Sequence, residues 1–429
     1  MSARSTRVLH VNTLSGAGGA AVVAESIIKG LKQRGHSAEL LVSHRIKPDA
    51  DVLTFQELNS TFSLRTKIHR KISNARRAID KTKGIESFSF PESHLINTIV
   101  NQFDALHFHN LHGDYFDLRL LPLLTSTKPS FITLHDSWLL GGHCAHPLDC
   151  NKWMTQCGPC PHQDIYQSIE KDGSRENQRR KAEILKIVKW TVISPSHWLL
   201  DRAKRSILYP SFINSHVIPN GVDLDRFKPL SKETSRLKLD IPRNAFVVLF
   251  VAHGIRNNPW KDFGTLEAAI KILSKNRLSK PFLFLAIGES GQQERVSEDV
   301  EVKWISSLEQ RDLASYYSAS NVYVHPAKME NFPNVILEAM ACALPVVATR
   351  IGGIPEQVVD YGAQGGSSKE PTGILTELGN PKELAEALMF LSSNEQLANS
   401  LGLAGQKKCV EEFDLKTTVD RYTECYLKQ

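Results

Sequence analysis

HPAKMENFPNVILEAMACALPVVATRIGGIPE, residues 325–356, is the stretch from which the fold can be read. Two glutamates, Glu330 and Glu338, are separated by seven residues. Pro333 suits the first turn of a helix, and Val335, Ile336, Ala339, Met340 and Ala343 recur at near-helical spacing. Glu330 is therefore expected in the loop that enters this helix, and Glu338 one to two turns inside it. Pro345 ends the helix, Val346–Thr349 reads as a buried strand, and Gly352, Gly353 and Pro355 form a turn. An acidic loop, a helix N-terminus and a glycine turn together suit a polyhydroxylated anion. The N–H groups at the helix start hold phosphate, and carboxylates accept hydrogen bonds from sugar hydroxyls. A helix dipole by itself also favours acids near its start, so two glutamates there are compatible with no ligand at all.

At 429 residues the chain is too long for one ordinary core, and two domains are expected. With 41% hydrophobic and 23% charged residues the composition is that of a globular protein. No apolar run approaches the roughly 20 residues of a membrane span. MSARSTRVLHVN lacks the apolar core of a signal peptide, and a cytoplasmic location is expected. Seven cysteines in such a chain do not suggest a disulfide framework. Cys342, Cys409 and Cys425 read as buried small apolar residues.

In the first half, the strand Arg7–Asn12 runs into Leu14-Ser15-Gly16-Ala17-Gly18-Gly19-Ala20, then a helix to about Arg34 and a second strand, Ala38–Ser43. This opens a parallel α/β sheet. The loop is not GxGxxG and no acid ends the second strand, so a nicotinamide dinucleotide is poorly supported. Glycines there still permit close approach of a ligand, or simply a tight turn. Residues 64–84 form a basic amphipathic helix. Leu64, Ile68, Ile72, Ala75 and Ile79 lie on one stripe, among Arg65, Lys67, Arg70, Lys71, Arg76, Arg77, Lys81 and Lys83. Such a helix fits an anionic membrane surface, or a solvated helix packed on the sheet by its stripe. Nucleic acid is disfavoured, since no aromatic residues interleave the cations. ALHFHNLHG, 105–113, reads as a strand ending in a histidine-rich turn with His107, His109 and His112, and SFITLHDSW, 130–138, as one ending in His135-Asp136. His109, His112 and His135 fall at the sheet edge where ligands of parallel sheets bind. Next comes Cys144-x5-Cys150-x6-Cys157-x2-Cys160, with His143, His146 and His162 nearby. It allows a structural, four-thiolate zinc site, with reduced unliganded thiols as the alternative; no catalytic cofactor is expected.

HVIPNGVDLDRFKP, 216–229, carries turn residues and two prolines and is the expected domain boundary. Phe246–Gly254 then restarts a buried strand. Arg256 and Lys261 follow in its loop, where two cations could neutralise a diphosphate. Further strands are expected over 281–288, 302–305 and 321–326, and helices over 309–319, 334–343, 381–392, 395–411 and 415–427.

ENFPNVILEAMACALPVVATRIGGIPE, VIPNGVDLDRFKP and the loop with Arg256 and Lys261 resemble the family 4 retaining glycosyltransferases of the GT-B fold. SGAGGAA, FHNLHG, TLHDSW and the cysteine loop resemble a bacterial exopolysaccharide branch of the colanic-acid type. The resemblance implies two Rossmann-like parallel-sheet α/β domains facing each other across a cleft. They would be an acceptor-side domain over 1–225 with a cysteine-rich insertion at 143–162, a nucleotide-sugar domain over 226–410, and a helix over 411–429 returning to the first. It implies that Glu330 bonds hydroxyls of the donor sugar, that Glu338 binds the ribose, and that Arg256 and Lys261 hold the diphosphate as leaving group. Backbone around Phe332, Asn334 and Val335 would contact sugar and phosphate. Gly18 and Gly19 would approach donor phosphates or acceptor, and His135 the transferred sugar. Asn331 and Pro333 depart from the commoner glycine-rich form, and Pro333 removes one N–H. The implied reaction moves a sugar from a nucleotide-sugar donor to a hydroxyl of a glycan or lipid-linked oligosaccharide in cell-surface polysaccharide synthesis, at the inner face of the membrane. Rival readings are a nucleotide-sugar epimerase or phosphorylase of the same architecture, and a non-catalytic glycan-binding subunit.

Overall fold

The structure, a computed structural model, describes residues 5–58, 64–362 and 370–428; the side chains of residues 64–67, Leu64, Arg65 and Lys67 among them, lie outside the described residues. The chain divides into two compact units, Met1–Pro219 with Thr418–Gln429, and Asn220–Thr417. Each is built on a seven-stranded sheet.

In the first unit the strands are β1 (Arg7–Ser15), β2 (Ser37–Arg45), β3 (Val52–Thr54), β4 (Ala105–Phe108), β5 (Ser130–Thr133), β6 (Trp190–Ser194) and β7 (Phe212–Val217). They pair in the order β3-β2-β1-β4-β5-β6-β7, all parallel. The order reverses between β1 and β4, so the loops leaving these two strands part and open a crevice at their carboxyl ends. The helix Gly19–Gln33 buries Val23, Ala24, Ile27, Ile28 and Leu31, an apolar face at helical spacing that covers the sheet. At Gly30 a Cβ would lie 2.5 Å from Val419 of the helix Leu415–Leu427. That close approach seats Tyr422 and Tyr426 in the core, their hydroxyls on Thr133 and His107.

The basic helix, Leu64–Thr82, does not pack by its isoleucine stripe: Ile68, Ile72 and Ile79 are 50%, 61% and 54% exposed. It is held instead by buried Ser73, by Arg77 over the ring of Phe90 at 5.0 Å, and by Arg70 on Glu92 at 2.9 Å.

The second unit has β8 (Phe246–Val251), β9 (Phe282–Ile287), β10 (Glu294–Arg295), β11 (Val300–Ile305), β12 (Val322–His325), β13 (Val346–Thr349) and β14 (Gly373–Thr376). The order is β10-β11-β9-β8-β12-β13-β14, and only β10 is antiparallel among the described residues. Along β8, Val247 and Leu249 enter one core while Phe246, Val248 and Phe250 enter another. A strand apolar on both faces requires helices on both sides, which is why the run reads as continuous hydrophobicity rather than alternation. Here the order reverses between β8 and β12, and the loops after those strands contain Lys261 and Glu330.

Pro333 occupies the position just before the helix Asn334–Ala341 and offers it no side-chain cap, so it precedes the first turn instead of forming it. Its end is not set by Pro345. Ala343 takes a left-handed conformation, φ +56°. Its N–H donates to Met340 O at 2.9 Å, and the Leu344 N–H to Ala339 O at 3.0 Å. This is the paired closure that glycine usually supplies. A left-handed alanine costs about 1–2 kcal/mol; glycine removes that cost but gives part of it back through its freer unfolded chain. Ala343→Gly is expected to stabilise the protein by about 0.5–1 kcal/mol, read as a higher denaturant midpoint at unchanged slope.

Candidate functional site

The second unit's crevice is assembled from two loops stitched together. Lys261 and Ala327 form an isolated antiparallel bridge, and the Asp262 N–H donates to Pro326 O at 3.1 Å. Asp262 then caps the helix Phe263–Leu273 through Thr265. Locked in this way, the Lys261 ammonium meets the Glu330 carboxylate. On its other side the Nε2 of His325, the last residue of β12, lies 3.3 Å from the same Glu330 oxygen, and Tyr323 bonds His325 Nδ1 at 2.9 Å. Burial pushes the Glu330 carboxyl up, but Lys261 and His325 outweigh it and hold the group well below the usual carboxylate range. Burial, with Lys261 adding to it, lowers His325. The glycine turn fixes the loop backbone. The Gly353 N–H donates to Glu330 O at 3.2 Å, and a Cβ on Gly352, at φ +60°, would fall 1.8 Å from that oxygen.

Glu338 has the opposite environment. It is 6% exposed, and its carboxylate accepts from Tyr317 Oη at 2.9 Å. Burial pushes its carboxyl up to about 7, opposed by Tyr317 and Arg226. The two glutamates thus differ in charge state below neutrality, Glu330 ionised and Glu338 protonated. Between them, the start of the helix Asn334–Ala341 has no side-chain cap. Asn220, of the Pro-Asn-Gly turn, donates to Phe332 O at 3.0 Å and Asn334 Oδ1 at 2.9 Å, and Gln357 donates to Pro333 O at 3.1 Å. Val335 is half-buried beside this turn.

Lys261 and Arg256 have different partners. The Arg256 guanidinium lies 3.6 Å over the Trp304 ring and pairs with Glu289 at 2.7 Å and Glu294 at 3.3 Å. Lys261 alone of the two reaches Glu330.

In the first unit, β1, β4 and β5 bring His10, His109 and His135 into a hydrogen-bonded row: His10 Nδ1 to His109 Nε2 is 3.0 Å, and His109 Nδ1 to His135 Nε2 is 2.9 Å. Burial lowers His10 to about 3 and His135 to about 4, so both are neutral at pH 7. Beside them, His112 Nε2 bonds Asp136 at 2.7 Å. Burial acts to raise Asp136, yet His112 and the Trp138 N–H bring it down to about 2. Gly18, at φ +84°, caps the helix Gly19–Gln33 without a side-chain bond, and nothing lies within 4 Å of a Cβ built on Gly18 or Gly19. Cys144, Cys150, Cys157 and Cys160 are free thiols lining one cavity, while Cys342 and Cys409 are buried as expected and Cys425, expected buried as well, is only half-buried. Sequence reasoning overlooked His325, Tyr317, Asn220, Gln357 and His10. Of these, Asn220 and His325 lie inside the motifs already quoted, and the others become visible only with strand order.

Residues 17–226 match the family described as Glycosyltransferase Family 4, and residues 231–408 the family described as Glycosyl transferases group 1. Two parallel α/β units with crevices at their strand-order reversals, matched over most of their length by these families, define a glycosyltransferase fold of the GT-B type. The chain belongs to the family 4 glycosyltransferases. It is 30% identical over 227 residues, 49% of this chain and 51% of the relative, to D-inositol 3-phosphate glycosyltransferase of Kineococcus radiotolerans. An Escherichia coli protein provisionally named colanic acid biosynthesis glycosyl transferase WcaC is 24% identical across 72% of this chain and 75% of its own. The chain spans about half the length of the inositol-phosphate relatives it matches. Among solved structures it resembles sucrose-phosphate synthase from Thermosynechococcus elongatus, with 18% identity, 99% and 98% coverage and a TM-score of 0.67. It also resembles Anabaena Alr3699/HepE in complex with UDP and glucose, with 17% identity, 98% and 99% coverage and a TM-score of 0.63. At such identities the likeness is one of fold.

Glu338 gives a pH signature of folding. Its folded pKa is raised, so the folded chain keeps a proton that the unfolded chain releases near 4.5. The stabilisation is complete below pH 4.5 and is lost as pH rises to about 7. Against Glu338→Gln, the wild type is expected to lose about 3 kcal/mol over that window, at about 1.4 kcal/mol per pKa unit, measured by urea denaturation of both proteins at each pH.

Proposed function

We propose that the chain is a retaining glycosyltransferase that moves a sugar from a nucleotide-sugar donor to a hydroxyl of a glycan or lipid-linked oligosaccharide in cell-surface polysaccharide synthesis. The observation that carries this reading is Glu330, ionised between Lys261 and His325 beside an uncapped helix start. An ionised carboxylate only accepts hydrogen bonds, which suits the hydroxyls of a donor sugar. The open N–H groups of Asn334 and Val335, with the backbone at Phe332, suit a diphosphate. Glu338 accepts from ribose hydroxyls, and Lys261 spreads positive charge over the departing diphosphate. Arg256, held by Glu289, Glu294 and Trp304, has the lesser part. The first unit contributes its own crevice, where Gly18 and Gly19 leave the backbone open and His135 hydrogen-bonds a sugar hydroxyl.

In the transfer, the donor C1–O bond to the diphosphate breaks as a C1–O bond to the acceptor forms on the same face. The acceptor's hydroxyl proton passes to the leaving diphosphate oxygen. Positioning and stabilisation of the leaving group supply the acceleration. A labelled nucleoside diphosphate-sugar incubated with an oligosaccharide acceptor is expected to give free nucleoside diphosphate and a glycan one sugar longer, with the anomeric configuration kept by NMR. Lys261→Ala and Glu330→Ala should each lower turnover by about 100-fold or more. Unchanged turnover in both, or an epimerised nucleotide-sugar as sole product, overturns the assignment.

The acceptor is reached at an anionic membrane surface in this reading. No described helix is long and apolar enough to cross a membrane. The exposed Ile68, Ile72 and Ile79, flanked by Lys71, Arg76 and Lys81, make a face that inserts apolar groups while cations meet lipid phosphates, at about 1 kcal/mol per cation. Ile72→Glu with Ile79→Glu is expected to weaken sedimentation with phosphatidylglycerol vesicles at least tenfold and leave turnover on a soluble acceptor intact; unchanged vesicle binding removes the membrane role.

A further inference from the structure

The cysteine loop lies outside the proposed donor and acceptor chemistry, and its geometry points to a metal. We infer that His143, Cys144, Cys157 and Cys160 bind one zinc ion. Between Gly141 and Gly173 the chain forms no strand and only a single short 3-10 turn, Lys152–Met154. A stretch of that length with so little regular structure needs another source of rigidity. Four thiols and His143 line one cavity of about 20 Å³ within it, room for one ion.

The imidazole identifies the ligand set. His143 Nδ1 lies 2.7 Å from the carbonyl oxygen of Gln167. A carbonyl only accepts, so Nδ1 carries the hydrogen and Nε2 presents its lone pair. That lone pair faces Cys160 Sγ at 3.2 Å and Cys144 Sγ at 3.4 Å. A histidine whose outer nitrogen is fixed on a backbone carbonyl is the usual arrangement around a metal. With zinc–sulfur near 2.3 Å and zinc–nitrogen near 2.0 Å, the edges of a ligand tetrahedron are about 3.5–3.8 Å. The three donor atoms, all within 4.8 Å of one another, are already gathered to nearly that spacing. Cys157 precedes Cys160 in Cys-x2-Cys spacing, a knuckle that places both sulfurs on one ion, and Gly158 provides its turn at φ +85°. Backbone bonds brace the knuckle: the Cys157 N–H donates to Gln178 and the Cys160 N–H to Asp172. Behind the site, fully buried Lys181 bonds Gly142 O at 2.9 Å and pairs with Glu86 at 2.9 Å, which fixes the backbone that precedes His143.

The ion would also position the crevice of the first unit. Gln167 holds His143 through its carbonyl and His112 Nδ1 through its side-chain amide at 3.2 Å. His112 in turn orients Asp136 at 2.7 Å, and the Ser137 N–H donates to Ala145 O at 2.7 Å. Metal, His143, Gln167, His112 and Asp136 therefore form one continuous chain of contacts.

The full chain, purified under reducing conditions without a metal-charged resin, is expected to carry one zinc per molecule by mass spectrometry. Its X-ray absorption should show three sulfurs and one nitrogen around the ion. Cys160→Ser should lose zinc, and Cys150→Ser should keep it. Stripping zinc from the wild type with a chelator should lower the thermal midpoint by several degrees, and added zinc should restore it. Protein that stays below one-tenth zinc per chain after incubation with zinc chloride overturns the site. A shell of four sulfurs overturns the role of His143. These readings need no turnover, so they fail or succeed independently of the glycosyltransferase assignment.

Discussion

Much of the second unit is arranged so that one carboxylate can remain charged where water is scarce. Glu330 and Lys261 are only 14% and 16% exposed. A charge in such a place is tolerated when it is paired and its remaining lone pairs are bonded, and is costly otherwise. The pairing depends on the reversal of strand order between β8 and β12, which sends the two loops to the same crevice. It also depends on the short bridge between Lys261 and Ala327, on Gly352 giving its Cβ space to a carbonyl, and on Gln357 holding Pro333. None of these features is local to Glu330, yet each restricts where its carboxylate can be.

Eight positions along the chain, Glu338 has an opposite balance. The helix that carries it is apolar on nearly every side, with Ile336, Leu337, Ala339, Met340 and Ala341 all buried. Tyr317 offers a neutral hydroxyl where Glu330 has a cation. Two carboxylic acids of the same type thus acquire different protonation because one meets an ammonium and the other a phenol, the kind of division by environment that sites use to assign roles.

Much of this was readable before any coordinates. β8, β9 and β13 announce themselves as runs of apolar residues, since strands covered on both faces cannot alternate. Asp262 and the Pro-Asn-Gly turn stand where helices and strands must start and stop. What could not be read depends on distant partners. Arg256 looks like a loop cation until β9 and β10 bring Glu289 and Glu294 beside it from 33 and 38 residues away. The isoleucine stripe of Leu64–Thr82 has helical period, but period says only that one face is apolar and not what covers it. The row His10–His109–His135 needs the pairing of β1 with β4 and of β4 with β5. β3, with three residues, is too short for any period to register, and β14, Gly373–Thr376, opens on a glycine and lacks the unbroken apolar run of β13.

The seating of Tyr422 and Tyr426 in the first unit has a consequence for biosynthesis. A ribosome delivers residues in order, and the whole of Asn220–Thr417 emerges before these two tyrosines do. Until then His107 and Thr133, both buried, lack the hydroxyls that meet them in the finished molecule. The first unit is thus completed only after the second has emerged, and its core matures once residues 220–417 have been made.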